Sequence, residues 1–455
     1  MKRMLSLLLA AMLIFALAAC GDKPAEPEDS SKPAPKPSAT ETLDDFSTDA
    51  TIEETVLVDD GGVLITATGL TYTNYSVDLA LSIENNTDQD LTFTSNTLGY
   101  SCNSVNGMMV PDGYMNCDVA AGKKAMDTIS LGYEALQLYG IQEIADMEIG
   151  ITASGDDFDS VDYAPGQIKT SAYEGYDYTK PRYQESIVSG AAQTTVGYEV
   201  LYFAADPLYE QNSVSLLSEV LMRNADGETL LGLEVENKSE DIRNVSVGDI
   251  AVNGLAVSGG TWDAETVAPG KRAVISVDLA DVVDTPIQEA FGIDEIGSVS
   301  FALGQSDMDF NDVAKNETVT VNCGDTASVD EGGHEVYNAN DVRIVSKTIL
   351  PPDGDYDSDY HILLLAVNDG TAAVKLHLSG DSISDNGYMV DNYSDTWELQ
   401  PGMGAVMELE VSEDDLEEIG VTEQSQITEV EFTLEINRGK TSLDEPTIKL
   451  DPSKK

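Results

Sequence analysis

Histidine and basic side chains are scarce in this sequence of 455 residues. It contains three His, and 24 Lys and Arg stand against 82 Asp and Glu, which gives a formal net charge of −58. A surface this acidic repels nucleic acid and anionic lipid headgroups at long range, so the composition excludes a nucleic-acid partner. The histidines form no His-Glu-x-x-His zinc pattern, and the sequence has no Gly-x-Ser-x-Gly nucleophile elbow. Neither a zinc peptidase nor a serine hydrolase is therefore indicated.

Long apolar stretches are also rare, and the longest lies at the N-terminus. Lys2 and Arg3 precede an apolar run that is short for a membrane span, so residues 1–19 are predicted to be a secretory signal peptide. The run ends in Leu17-Ala18-Ala19-Cys20-Gly21, which resembles the lipobox of bacterial lipoproteins. The resemblance implies that Cys20 is acylated and holds the protein to the lipid bilayer, on the extracytoplasmic face of the bacterial cell membrane. The alternative is an ordinary signal peptide with a chance cysteine.

The segment after Cys20 is rich in Pro, Ser, Thr, Lys and acidic residues, as in Lys32-Pro33-Ala34-Pro35-Lys36-Pro37. Such a composition cannot build an apolar core, and its prolines favour an extended backbone. Residues 20–55 are therefore predicted to be the lipidated cysteine and a disordered linker that holds the folded part away from the bilayer.

Three stretches of the chain, here called copies 1, 2 and 3, repeat the same order of signals. Each opens with a pair of β-rich segments, which in copy 1 run from Val63 to Leu70 and from Val77 to Ile83. In copy 1 the second segment strictly alternates apolar and polar residues, which is the pattern of a half-buried strand. It ends at a polar turn with asparagine in every copy: Asn85-Asn86, Asn237-Lys238 and Asn368-Asp369.

An Asn-Gly dipeptide follows in every copy, and a second glycine turn comes 15, 16 and 15 residues later. Asn-Gly is a strong hairpin signal because both residues tolerate positive φ. A short helical stretch then ends at a glycine and an aliphatic residue, the pattern of a helix C-cap. The three series are Asn106-Gly107, Gly122, Tyr133 to Leu138 and Gly140-Ile141; Asn253-Gly254, Gly270, Pro286 to Ala290 and Gly292-Ile293; and Asn386-Gly387, Gly402, Asp414 to Glu418 and Gly420-Val421.

Short strands separated by turn residues at this spacing predict an all-β fold. We expect three tandem Ig-like β-sandwich repeats at 56–165, 195–325 and 333–450, with a Tyr-rich connector at 166–194. A lipobox, a low-complexity linker and tandem repeats together resemble Gram-positive bacterial surface lipoproteins with tandem Ig-like modules of unknown function. This resemblance implies an envelope location and a binding role, and it carries over no functional residues.

Three cysteines remain besides Cys20. Cys102 and Cys117 flank the Asn-Gly hairpin of copy 1, so one hypothesis is a disulfide between them that contributes about 3 kcal/mol. Two buried thiols are the alternative. Cys117 lies five residues before the glycine turn, as Trp397 does in copy 3, which favours a core-facing position for both side chains. Cys323 is expected to be a buried small hydrophobe.

An acidic loop suggests calcium as a cofactor. Asp353, Asp355, Asp357 and Asp359 place carboxylates at alternate positions, and hard cations prefer several oxygen ligands of this kind. Asp307, Asp309, Asn311 and Asp312 form a similar cluster. Neither cluster completes an EF-hand loop, so solvated acidic loops are the alternative, and no other cofactor is indicated.

Aromatic residues crowd the passage from copy 1 to copy 2. Exposed aromatic side chains stack on sugars and peptides, which makes them a candidate binding surface. The favoured interpretation is that Trp262 and Trp397 fill sandwich cores and that the tyrosines pack the connector. The tyrosines are Tyr173, Tyr176, Tyr178, Tyr183, Tyr198 and Tyr202.

The first functional hypothesis is a non-catalytic, lipid-anchored cell-surface protein that acts as a binding or spacer array. Its partner is expected to be an envelope or extracellular protein or glycan. One alternative is an envelope glycan hydrolase, which requires two converging carboxylates in a cleft of one copy. The other is a calcium-dependent adhesin, in which the loop at 353–359 binds the ion.

Overall fold

The computed structural model describes residues 46–452, apart from 96–102, 156–159, 191–192, 194–196, 226, 257–262, 280–285, 294, 325–328, 353–358, 380–381 and 391–394. These residues all belong to one unit, Thr42–Lys455. They form strands β1 to β31 and four short α-helices, so the predicted all-β fold is confirmed. Within the described residues no helix has the length and apolar character needed to cross a membrane.

Copy 1 contains β1 to β10 and helix α1. A four-stranded sheet has the order β1-β2-β3-β8, and β4 to β7, β9 and β10 belong to a second sheet. The elements are β1 Thr55–Asp60, β2 Val63–Tyr72, β3 Ser76–Asn85, β4 Leu91–Ser95, β5 Asn103–Val105, β6 Met108–Val110, β7 Met115–Val119, β8 Lys123–Gly132, α1 Tyr133–Leu138, β9 Asp146–Ser154 and β10 Ser160–Lys169.

The predicted strand pair of copy 1 is confirmed by β2 and β3. Val77, Leu79, Leu81 and Ile83 of β3 are fully buried, whereas the residues between them are half-buried. A period of two therefore places one face of the strand on the core. Strand β10 continues to Lys169, past the predicted boundary at residue 165.

The connector between copies 1 and 2 contains a 3₁₀ turn, Tyr173–Gly175, and helix α2, Arg182–Ser189. Copy 2 follows with ten strands and one helix. These elements are β11 Glu199–Ala204, β12 Tyr209–Gln211, β13 Val214–Arg223, β14 Thr229–Asn237, β15 Arg243–Val252, β16 Leu255–Ala256, β17 Asp263–Val267, β18 Arg272–Asp278, α3 Pro286–Phe291, β19 Ser298–Ser306 and β20 Asp312–Asn322.

Copy 3 contains the remaining strands, helix α4 and a second 3₁₀ turn, Gln424–Gln426. Its elements are β21 His334–Ala339, β22 Val342–Leu350, β23 Asp359–Asn368, β24 Val374–Leu378, β25 Ser384–Asp385, β26 Tyr388–Met389, β27 Asp395–Leu399, β28 Gly404–Ser412, α4 Glu413–Glu418, β29 Val430–Arg438, β30 Thr441–Asp444 and β31 Thr447–Leu450.

Two of the four sheets run from one copy into the next. The 11-stranded sheet joins β4 to β7, β9 and β10 of copy 1 to β11 to β14 and β18 of copy 2. The nine-stranded sheet joins β15 to β17, β19 and β20 of copy 2 to β21 to β23 and β28 of copy 3. A seven-stranded sheet holds β24 to β27 and β29 to β31. Three apolar clusters, each dominated by one copy, form the cores between these sheets.

Helices α1 and α4 end at the glycines that the sequence predicts. In α1 the amide of Gly140 donates to the carbonyl oxygen of Gln137 at 2.9 Å, and that of Ile141 donates to Leu136 at 2.8 Å. Gly140 has φ of 72°, so these bonds form a Schellman cap. Gly420 and Val421 repeat both bonds at the end of α4.

A buried asparagine ends each of the corresponding strands β3, β14 and β23. The side-chain amide of Asn85 donates to the carbonyl oxygens of Gln89 and Val119, both at 2.8 Å, and its Oδ1 accepts the amide of Thr87. Asn237 and Asn368 make the corresponding bonds in copies 2 and 3. These bonds satisfy the polar groups of the buried side chain, so its burial is not costly. The asparagine turn noted in the sequence therefore connects each strand end to the neighbouring loop by hydrogen bonds.

Candidate functional site

The Asn-Gly dipeptides form tight hairpins whose tips are held by side-chain bonds. Asn106 has φ of 51°, and Asn253 and Asn386 have 53° and 48°. The side-chain amide of Asn106 donates to the carbonyl oxygen of Glu143 at 2.7 Å, and its Oδ1 accepts the amides of Ala145 and Asp146. Asn253 and Asn386 make matching bonds to the loops before β19 and β29. Each hairpin therefore has a fixed direction with respect to its own copy.

The first two hairpins each pair with a strand of the following copy. Strand β6 lies parallel to β18, and the amide of Arg272 donates to the carbonyl oxygen of Gly107 at 3.0 Å. Strand β16 lies parallel to β28, and the amide of Gly404 donates to Gly254 at the same distance. In both cases the acceptor is the hairpin glycine, and the donor lies two residues after the second glycine turn. The two junctions between copies thus use one register.

Charged groups surround the junction between copies 1 and 2. The ammonium group of Lys271 lies 2.6 Å from a carboxylate oxygen of Glu148, and both side chains are largely buried. The guanidinium group of Arg272 lies 3.5 Å from a carboxylate oxygen of Glu234 and 3.3 Å from one of Glu236. Glu234 is fully buried, and it accepts hydrogen bonds from Ser218 and Gln184, both at 2.8 Å. Because this carboxylate is paired and hydrogen-bonded, its burial is compensated.

Apolar contacts complete both junctions. Val220, Met222 and Val274 of copy 2 pack into the cluster of copy 1, together with Tyr183 and Ile187 of α2. Leu363, Leu365, Val367 and Val406 of copy 3 pack into the cluster of copy 2. Strand β23 is consequently buried on both faces, unlike the alternating β3. Each of the later copies is therefore held to its predecessor by a sheet face as well as by a hairpin.

The tyrosines of the connector form a cluster beside the first junction. Tyr176 and Tyr178 have ring centroids 4.8 Å apart, and the guanidinium carbon of Arg182 lies 4.3 Å above the ring of Tyr176. Tyr178 donates to Asp146 at 2.8 Å. Tyr176, Tyr178 and Arg182 line a cavity of about 130 Å³ together with Asn106 and Arg272. Because the rings pack on one another and on charged groups of the junction, they brace the connector.

Of the two tryptophans predicted to fill sandwich cores, the structure describes only Trp397. Trp397 is buried in the core of copy 3. Trp262 lies outside the described residues, and of the tyrosines Tyr183 is fully enclosed in the core of copy 1 while Tyr178 is partly exposed.

Several of the predicted site residues also lie outside the described residues: Cys20, Cys102, Asp353, Asp355 and Asp357. Asp359 begins β23, opposite Ser412. In the described part of the chain no group of three His, Cys, Asp or Glu side chains is arranged to hold a metal ion. The calcium site therefore stays a prediction.

Among the described residues neither Cys117 nor Cys323 has a disulfide partner. Cys117 is buried in the core of copy 1, and desolvation is the main cause that raises its pKa to about 11. Cys323 is half-buried against the core of copy 2. Since Cys102 is outside the described residues, its disulfide with Cys117 stays a prediction.

Two buried carboxyl groups did not stand out in the sequence. Asp385 of β25 is buried, and among the described residues neither of its carboxylate oxygens has a hydrogen-bond partner. Desolvation raises its pKa to about 6. Glu219 of β13 is also buried, and desolvation followed by repulsion from Asp206 raises its pKa to about 7. The alignment of copies contained a signal for Asp385, because the residue before the Asn-Gly dipeptide is Val105 in copy 1 and Val252 in copy 2.

Comparison with known proteins assigns no family. No protein-family model and no curated protein matches the chain. Among solved structures, a biofilm-associated protein domain aligns with 90% of this chain and 68% of its own at 11% identity and a TM-score of 0.14. An exo-chitosanase of Amycolatopsis orientalis aligns over 86% and 79% at 7% identity and a TM-score of 0.17. A DUF4785 family protein of Legionella pneumophila aligns over 95% and 99% at 9% identity and a TM-score of 0.16. Likenesses at these TM-scores carry no argument about function.

Proposed function

We propose that this chain is a non-catalytic, lipid-anchored surface protein whose three copies act as a stiff spacer and binding array. Its main support is the sheet continuity at both junctions, where a hairpin of one copy pairs in parallel with a strand of the next. A linker of a few residues between independent domains would permit bending, whereas a hydrogen-bonded and apolar junction resists it. The array would hold its outer loops at a set distance from its base.

The lipid anchor of the proposal rests on the lipobox ending at Cys20. Two or three acyl chains bury enough CH₂ groups for stable attachment without a basic patch on the protein. The surplus of 82 acidic over 24 basic residues keeps the array soluble and repels anionic headgroups. A partner would be an extracellular protein or glycan that contacts the loops or sheet faces.

Stiffness is tested by spin labels on copies 2 and 3. Residues 310 and 435 lie at exposed positions, and Phe310→Cys and Glu435→Cys carry the labels in a background with Cys20→Ser, Cys102→Ser, Cys117→Ala and Cys323→Ala. Pulsed electron paramagnetic resonance should give one narrow distance distribution. A broad distribution, as from domains on a flexible linker, contradicts the proposed spacer.

A matched pair of variants shows whether the junction causes the stiffness. A Cβ on Gly404 would lie 3.1 Å from Leu365 and 3.4 Å from Leu255, so Gly404→Val should force β16 and β28 apart and broaden the distribution. Lys124→Val is the matched control, because it changes the corresponding position of copy 1, which no preceding copy contacts among the described residues. The distance distribution of this variant should stay narrow.

Attachment is tested separately in bacterial cells. The wild-type chain should fractionate with membranes and incorporate labelled palmitate, and Cys20→Ser should abolish both. Incorporation that persists in Cys20→Ser would refute the anchor without affecting the argument for stiffness.

A further inference from the structure

The first two Asn-Gly hairpins are buried against the following copy, whereas the third is exposed in the described part of the chain. The residues that follow the glycine are Met108 and Met109 in copy 1, which are buried, and Met109 packs into the core of copy 2. In copy 2 Leu255 is also buried. In copy 3 the corresponding residues are Tyr388 and Met389, which are 59% and 64% exposed. Within the described residues β26 pairs with β25 alone, so its outer edge is unpaired.

A complementary edge is open at the other end of the described array. Strand β8 of copy 1 corresponds to β18 and β28, and it forms the end of its sheet, paired with β3 alone in the described part of the chain. Four residues after the second glycine turn, Val274 of copy 2 and Val406 of copy 3 are 9% and 1% exposed because the preceding copy covers them. Met126 occupies this position in copy 1 and is 68% exposed.

The hydrogen-bond register of the two internal junctions predicts which residues of the two open edges would pair. In both junctions the carbonyl oxygen of the hairpin glycine accepts the amide that lies two residues after the second glycine turn. The same rule pairs Gly387 with Lys124. It also places Tyr388 and Met389 against the edge that contains Met126, so apolar side chains meet at the contact.

Charges at the two edges match as well. Lys271 follows the glycine turn of copy 2 and pairs with Glu148, which lies opposite Ser104, two residues before Asn106. By the same positions Lys123 is the counterpart of Lys271. Glu431, opposite Ser384, is the counterpart of Glu148. Glu431 contacts Lys449 within its own chain, so a partner lysine would share or replace that contact.

We propose that copies of this chain associate head to tail, with the hairpin of residues 386–389 in one molecule docked on β8 of the next. Such an interface is heterologous and leaves the same two edges free at the ends of every assembly, so growth continues in steps. It is weaker than an internal junction, because Gly69 and Thr71 occupy the positions that the buried Val220 and Met222 occupy in copy 2. The association does not depend on the lipid anchor or on the proposed spacer role.

Sedimentation velocity tests the proposal with residues 20–455 carrying Cys20→Ser, which keep every residue that the structure describes. Between about 1 µM and about 300 µM, a range suited to small interfaces, the mean sedimentation coefficient should rise through dimers to larger species. Tyr388→Asp and Met126→Asp should each abolish this rise. Phe310→Asp, which removes an exposed aromatic side chain from an unrelated loop, should not affect it.

The most specific test is to mix Tyr388→Asp with Met126→Asp, because each variant has lost a different one of the two edges. Tyr388→Asp retains an intact β8, and Met126→Asp retains an intact hairpin, so an equimolar mixture should form one dimer and grow no further. A mixture that remains monomeric, or a wild-type chain that is monomeric throughout the range, overturns the proposal. So does assembly that appears only after deletion of residues 21–44, since the chain's own N-terminal segment would then be the occupant of the edge.

The ion pair provides an independent check of register. Lys123→Glu alone should weaken association by about fivefold, and Glu431→Lys added to the same chain should restore it. Weakening without restoration would mean that these two residues do not meet.

Discussion

The amide of Gly404 donates to the carbonyl oxygen of Gly254 at 3.0 Å, across the junction between copies 2 and 3. No side chain on Gly404 separates the two backbones, so Leu255 can lie against this strand. At this junction the glycine leaves room for the side chains of Leu255 and Leu365, whereas at the first junction Arg272 makes the same backbone bond with a side chain present.

Gly404→Val should lower the free energy of unfolding by about 1–3 kcal/mol, because the added side chain overpacks against Leu255 and Leu365. Urea unfolding followed by circular dichroism measures the change. Lys124→Val at the corresponding position of copy 1 should change the free energy by less than about 1 kcal/mol, since it removes one surface ion pair with Glu84. Equal losses in both variants would mean that the junction adds no stability.

Asp385→Val should raise the free energy of unfolding by about 1–3 kcal/mol at pH 7.5. Within the part of the chain that the structure describes, the buried carboxylate has no hydrogen-bond partner, and copies 1 and 2 carry valine at the same position. The reverse change, Val252→Asp, should destabilise copy 2 by a similar or larger amount. Destabilisation by Asp385→Val would show that the carboxylate has a partner in solution.

The stability of the protein should depend on pH through Asp385 and Glu219. Their pKa values of about 6 and about 7 lie above the ordinary range near 4, so the folded protein binds protons that the unfolded chain does not. Their contribution is therefore most favourable below about pH 4 and is lost as pH rises through 6 and 7. Urea unfolding at pH 5 and pH 8 should show higher stability at pH 5. A chain with Asp385→Val and Glu219→Gln should show a clearly smaller difference, and an unchanged difference would assign the effect to other groups.

Asn85→Ala, Asn237→Ala and Asn368→Ala should each lower the free energy of unfolding by about 2–4 kcal/mol. Each substitution leaves two carbonyl oxygens and one amide without their buried partner. The measurement is urea unfolding of the three single variants. Asn338→Ala, on an exposed position of β21, is the matched control and should have little effect. A small decrease in the free energy of unfolding at one of the three sites would show that other contacts hold the strand end of that copy.

Much of the local structure could be predicted because its causes lie within a few residues of the chain. The alternation in β3 places Val77 and Leu79 on the core, and the Gly140 cap ends α1 at the expected residue. Asn106 and Gly107 form the hairpin because they tolerate positive φ. Each of these features follows from backbone preferences or from a period of two.

The site could be predicted only in part. The crowding of tyrosines between copies 1 and 2 indicated a packed connector, and Tyr183 and Trp397 are indeed buried. The pairing of Arg272 with Gly107 could not be predicted, because parallel bonds between segments far apart in the chain leave no periodic trace in the sequence.

The sequence by itself determined the strands, the turns, the helix ends and the acidic surface, since each depends on residue type and short-range spacing. Tertiary structure alone decided that two sheets run from copy to copy, that Asp385 is buried where its counterparts are valines, and that Tyr388 and Met126 are left exposed. Burial and edge pairing depend on which distant segment covers a residue, and identical local patterns are therefore covered in one copy and open in another.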